Sequence, residues 1–178
     1  MRRRSMEVCK VRAVLGRSGW SSNKSKMSRR LAILVCLLLM AAAGCSPVHN
    51  VNTAATREFV KELEAFTPAV ENVRFTFQRP DLYCRIDMSR EPSEEELEGI
   101  LARIGEFATV ENMNEIARSV RWGLEISNIY LDINTDRDRQ TVEHAYYARY
   151  FKTFDASDRS EANIEAYSVW YERELPRN

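Results

Sequence analysis

The chain has 178 residues with 26 Lys+Arg and 26 Asp+Glu, for a formal net charge of zero. That balance hides two opposed segments: ten basic residues against one acidic up to Gly44, then sixteen against twenty-five from Cys45 onward, a net of −9. The acidic body has the size of one ordinary domain; its charge argues against nucleic acid as a partner, since phosphate backbones attract basic surfaces, and against adhesion to anionic lipid by charge alone.

In chain order, Met1–Lys26 comes first and fits no element of a folded domain. It would give the following segment a basic region of about thirty residues, beyond the usual length of a signal n-region. We read it as an over-extended N-terminus, with translation starting at Met27; a long basic n-region is the alternative. Met27-Ser-Arg-Arg30 is a short basic stretch, Leu31–Met40 an uninterrupted apolar run, and Ala41-Ala-Ala-Gly-Cys45 a small-residue close. The apolar part is about 14 residues long, short of the roughly 20 that a membrane-spanning helix needs. The order is that of a secretory signal.

Ala42-Ala43-Gly44-Cys45 resembles a lipobox, the cleavage motif of bacterial lipoproteins, with Ala42 where that family more often has Leu. The resemblance spans Met27 to about Ser46. It implies cleavage between Gly44 and Cys45 and diacylglycerol on the Cys45 thiol, which anchors the protein on the extracytoplasmic side of the cell membrane. In a cell with two membranes, Ser46 resembles the outer-membrane sorting class. Two acyl chains bury enough CH₂ groups for stable anchoring, where a single chain would be marginal. Cys9 and Cys36 lie before the cut, so Cys84 is the one thiol left for the folded body. It falls in an alternating apolar series and reads as packing.

Residues 45–53 read as a lipidated tether of polar, turn-prone residues, with His49 solvated, and residues 54–178 as a single soluble domain. Phe59, Val60, Leu63 and Phe66 recur at helical spacing in Ala54–Phe66, and Pro68 stops that helix. Val73, Phe75 and Phe77 alternate with polar residues, as do Leu82, Cys84, Ile86 and Met88. The Pro80-Asp81 turn between them predicts a hairpin with one wet face. Ser93 and Glu96 are placed as a capping box at the start of a helix that buries Leu97, Ile100, Leu101, Ile104 and Phe107. A second helix is expected over Glu111–Arg121, ended by Gly123. Ile129, Leu131 and Ile133 mark a third strand and Thr141–Phe154 a long fourth. Ser160–Leu175 suits a helix or a strand, and we lean to helix. The expected fold is α+β: an antiparallel sheet of about four strands with helices on one face, in the order α-β-β-α-α-β-β plus a terminal element.

Asp132, Asn134, Asp136, Asp138 and Glu143 occupy positions one, three, five, seven and twelve of a calcium loop. Arg137, however, stands where that loop needs glycine, and Arg139 where it has an apolar residue. A polar turn between strands is the better reading, and neither a metal nor another cofactor is expected beyond the covalent lipid. His144 reads as structural, and no nucleophile elbow, metal-ligand cluster or phosphate loop is present.

The aromatic group Tyr146, Tyr147, Tyr150, Phe151, Phe154, Tyr167, Trp170 and Tyr171 supplies core, yet alternation turns some of it outward. Beside it the wet sheet face would carry Arg74, Tyr83, Arg85 and Tyr130. Tyrosine and arginine are enriched at binding hot spots, although such a face can equally be a solvated set of cross-strand pairs. The leading expectation is a non-catalytic binding domain for a protein, peptide or envelope ligand. The alternatives are an envelope protein acting by tethering or assembly and, third, a carboxylate-based hydrolase.

Overall fold

A computed structural model of the chain describes residues 47–136 and 141–175, all within the compact unit Cys45–Asn178. The expected leader Met27–Gly44, the lipid site Cys45, and Asp138 lie outside the described residues. In chain order the elements are β1 (His49–Asn50), α1 (Ala54–Phe66), β2 (Val70–Gln78), β3 (Asp81–Met88), α2 (Glu94–Phe107), α3 (Val110–Ser119), β4 (Asn128–Asn134), β5 (His144–Arg149) and β6 (Trp170–Glu172). A short 3₁₀ helix, Glu161–Asn163, precedes β6. The strands form one sheet in sequential order β1 to β6.

Each helix starts where the sequence supplies an acceptor for its free N–H groups. Thr53 and Thr56 make a reciprocal capping box on α1, Ser93 and Glu96 make one on α2, and Thr109 caps α3. Such caps satisfy donors that a helix cannot satisfy internally. The helices bury one side each, and those side chains join one face of the sheet in a single apolar cluster. That face is built from Phe75, Phe77, Leu82, Cys84, Ile86, Met88, Ile129, Leu131 and Ile133, all nearly or fully buried. Phe59 of α1 and Phe107 of α2 wedge against Phe75, with ring centroids 5.0 to 5.6 Å apart. Full burial of one such side chain contributes about 1.5–3 kcal/mol, so this seam holds the helical layer on the sheet. Cys84 is wholly buried within it, and burial pushes its thiol pKa up.

The mixed α and β character agrees with the expectation, while four details differ. First, the sheet has six strands, and β3 and β4 pair in parallel. Parallel neighbours need a long crossover, and the segment carrying α2 and α3 provides it. Second, the expected tether enters the fold: His49 and Asn50 pair with Phe77 and Thr76, Val51 N–H donates to the Phe75 carbonyl at 3.0 Å, and Val51 and Thr53 are buried. His49 is half-buried rather than solvated.

Third, the fourth predicted strand is short. It ends at Arg149, after which Tyr150 N–H bonds the Ser127 carbonyl and Phe151 makes a lone bridge to Ile164. Fourth, the terminal segment is not a helix. Its backbone turns through Ala166 (φ 48°) and Tyr167 (φ 65°), a left-handed conformation that no helix continues through, and then forms β6. Helix α3 also stops before Gly123: Arg121 takes the left-handed position (φ 57°), and Trp122 N–H closes back on the Ala117 carbonyl. This closure is the usual role of glycine at a helix end.

Candidate binding face

Among the described residues, no α-helix lies on the second face of the sheet. Strand alternation places Arg74, Thr76, Tyr83, Arg85, Asp87, Tyr130, Asp132, Tyr147 and Arg149 on it, and the β5–β6 register adds Tyr171. All four residues expected for a binding face, Arg74, Tyr83, Arg85 and Tyr130, are brought together there.

Register makes the pattern. Tyr83, Tyr130, Tyr147 and Tyr171 are direct neighbours across β3, β4, β5 and β6. Successive ring centroids lie 5.0, 6.3 and 5.2 Å apart, with interplanar angles of 20°, 35° and 26°. Rings nearly parallel at about the strand spacing stand upright on the sheet with their faces against each other. What they present outward is a row of edges and hydroxyls. Arg173 lies over the Tyr130 ring at 5.5 Å and Arg149 over Tyr171 at 4.9 Å, closing the row with cation–π contacts.

Charges border the row on both sides and are already matched. Asp87, buried to 3% side-chain exposure, accepts from Asn72 at 3.0 Å, Arg85 at 3.0 Å and Arg74 at 3.4 Å. Burial works to raise its pKa, but the hydrogen bonds from Asn72 and Arg85 and the two arginine charges outweigh it and hold the carboxyl below its ordinary value. Asp132 pairs with Arg173; burial raises its pKa against the pull of Arg173 and Arg85. Arg149 donates to Glu165, lowering the Glu165 pKa, and Tyr171 hydroxyl donates to the same carboxylate. Asp81 accepts from Asn128, yet burial still leaves its carboxyl raised. The arginines Arg74, Arg85, Arg149 and Arg173 thus pair with three carboxylates, Asp87, Glu165 and Asp132, while Asp81 is bonded to Asn128. The Tyr83 and Tyr130 hydroxyls have their pKa values raised, by burial first and by Asp81 second, so both stay protonated donors.

Beyond Tyr147 the surface turns concave. Tyr130, Tyr147, Arg149, Phe151 and Phe154 line a cleft of about 340 Å³. Its outer wall is the loop after β5, pinned by buried Asn163, whose side chain accepts from Thr153 N–H and donates to the Asp155 and Asp158 carbonyls. The left-handed pair Ala166–Tyr167 is held by bonds from Glu165 and Ala166 N–H to the Tyr150 carbonyl and from Tyr167 N–H to that of Arg149. These bonds set Glu165 beneath Arg149.

The groups this face offers are hydroxyls, ring edges and paired charges. Among the described residues of the loop Asp132–Glu143, Asp132 pairs with Arg173, the Asn134 amide donates to Asp136 and the Thr141 carbonyl, and Glu143 accepts from Thr135 N–H. Among the described residues no group of three potential metal ligands comes together. His144 lies on the other face, 2.6 Å from Glu91, whose second oxygen accepts from Thr135. Neither Cys84 nor His144 reaches the tyrosine row.

Tyr147, Tyr171, Arg149 and Arg173 were not singled out by the sequence as face residues. The doublet Tyr146-Tyr147 leaves facing ambiguous, and reading the last segment as a helix hides the alternation Tyr171, Arg173. A strand reading there would have placed both beside Tyr147.

No helix of the described residues is long and apolar enough to cross a membrane. No family model, no curated protein and no solved structure matches this chain.

Proposed function

We propose that the chain is a lipoprotein anchored outside the plasma membrane through Cys45, and that its folded body is a non-catalytic module that binds a protein, peptide or other envelope ligand on the open sheet face. The tyrosine row carries this reading: a helix-free face exposing a line of ring edges and protonated hydroxyls, bounded by guanidinium groups and ending in a cleft. Hot spots at interfaces are enriched in these two residue types. Because the bordering charges are matched in place, a partner of little net charge suits the face better than a polyanion.

Site-specific photo-crosslinking in intact envelopes tests the reading. A crosslinker at Tyr130 or Tyr147 is expected to give discrete adducts, and one at exposed Glu98 on α2 none. Replacing Tyr83 and Arg85 together by alanine is expected to remove the Tyr147 adducts. Adducts confined to the helical side, or unchanged capture by a folded double variant, would overturn it.

A further inference from the structure

The edge of β2 that β1 leaves open borders a groove apart from the tyrosine row, sharing with that face only Arg74. Strand β1 covers β2 only at Thr76 and Phe77, and the Val51 N–H to Phe75 carbonyl bond is the next contact before the chain leaves for α1. Phe75 therefore points its carbonyl outward, and two-residue periodicity turns the N–H and C=O of Val73 to the same open side. Between that edge and α1 lies a groove of about 540 Å³. Its floor is apolar, from Val51, Val60, Val73 and Phe75, and its rim is basic, from Arg57 and Lys61 on the α1 side and Arg74, already paired with Asp87, on the other. Helix α1 also carries Glu58, Glu62 and Glu64, yet none of the three lines the groove. A carboxylate-free basic rim is a marked departure in a body of net charge −9. Arg57 is held at the mouth by donating to Asn52 at 3.1 Å, while Lys61 is exposed.

We propose that this groove takes an extended acidic segment of another protein, added as a short strand to β2. Main-chain bonds to Val73 supply the register, as in other strand-addition complexes. One side chain of the segment fills the apolar floor, and carboxylates two residues away from it, on the same face of the added strand, meet Arg57 and Lys61. The register shift between Val70 and Asn72 limits the added strand to a few residues.

The probe is a fluorescein-labelled Glu-Thr-Val-Thr-Glu peptide, which puts valine and both glutamates on one strand face, titrated against the detergent-solubilised full-length chain by fluorescence anisotropy. Saturable binding is expected, weakening with salt as exposed ion pairs are screened. The same peptide with lysine in place of both glutamates should not bind. Backbone N-methylation on alternate residues should abolish binding without touching the protein, because it removes the donors of the added strand. The variant Arg57→Glu/Lys61→Glu is expected to weaken affinity about tenfold, through the loss of two exposed ion pairs. Both substitutions are on the helix surface, and circular dichroism checks the fold. Equal binding of both peptides, retention by the N-methylated probe, or no binding at all overturns the proposal. So does concentration-dependent self-association that the charge-reversed variant abolishes, since a second copy would then be the occupant. Loss of the crosslinks at Tyr130 bears on the sheet face alone and leaves this groove to its own test.

Discussion

Asp87→Asn probes the charge lattice beneath the tyrosine row. The carboxylate is 3% exposed and Arg85, 26% exposed, donates to it at 3.0 Å. Asn72 donates to the other oxygen at 3.0 Å, while Arg74 is 53% exposed and reaches it only at 3.4 Å. Hydrogen bonds to a charged group contribute roughly 1.5–3 kcal/mol each when buried. The Arg74 contact, largely open to solvent, adds no more than ~0.5 kcal/mol. An amide keeps the shape but removes the charge and turns an N–H toward groups that are themselves donors. We expect a loss of about 2–4 kcal/mol at neutral pH. The sign of the pH dependence follows from the depressed pKa of Asp87. Its stabilisation is fully present above the ordinary carboxyl value of about 4 and is lost as pH falls through the lower folded value. The gap between wild type and variant should therefore close in acid. Urea unfolding followed by circular dichroism, across a pH series, measures both. A gap under ~0.5 kcal/mol at neutral pH, or one that does not narrow as pH falls, would refute the reasoning.

Four further outcomes follow from local geometry. Gly99→Ala should destabilise by about 1–3 kcal/mol, against the helix preference for alanine, because its Cβ would run into the Phe66 ring that Arg103 covers from 3.6 Å; thermal unfolding reads the sign. Ser93→Ala should cost about 1 kcal/mol by uncapping α2. Glu96 accepts from Arg90, Ser93 N–H and Thr67, bonds that bring its pKa to about 2, so its contribution should be complete above the ordinary value and fade as pH falls toward 2. NMR titration of the carboxyl checks this shift directly. Asn163→Ala removes three hydrogen bonds from the loop after β5 and should raise amide exchange at Thr153 while sparing β3, as hydrogen-exchange mass spectrometry would show.

Much of the face was legible from alternation alone. The runs around Phe75 and Cys84 put Arg74, Tyr83 and Arg85 on the polar side, and the β2–β3 register agrees. The start of α2 was legible from its capping box Ser93 and Glu96, and the helical spacing of apolar residues marked α1 and α3, while the caps Thr53 and Thr109 emerge only in the structure. Parallel pairing of β3 with β4 was not, since pattern gives facing but not neighbour. The end of the chain was misread because Tyr167 lies at once on a helical and an alternating series. Its left-handed φ is held by bonds to Tyr150 and Arg149 that no local signal announces. Without β6 the row would have stopped at Tyr147.

Intact mass spectrometry of the protein recovered from membranes tests the proposal of an anchored binding module most directly. We predict that residues 1–44 are absent and that the new N-terminal Cys45 carries the mass of a diacylglycerol thioether. A mature chain that retains Leu31–Ala43, or that begins with an unmodified Cys45, would contradict it.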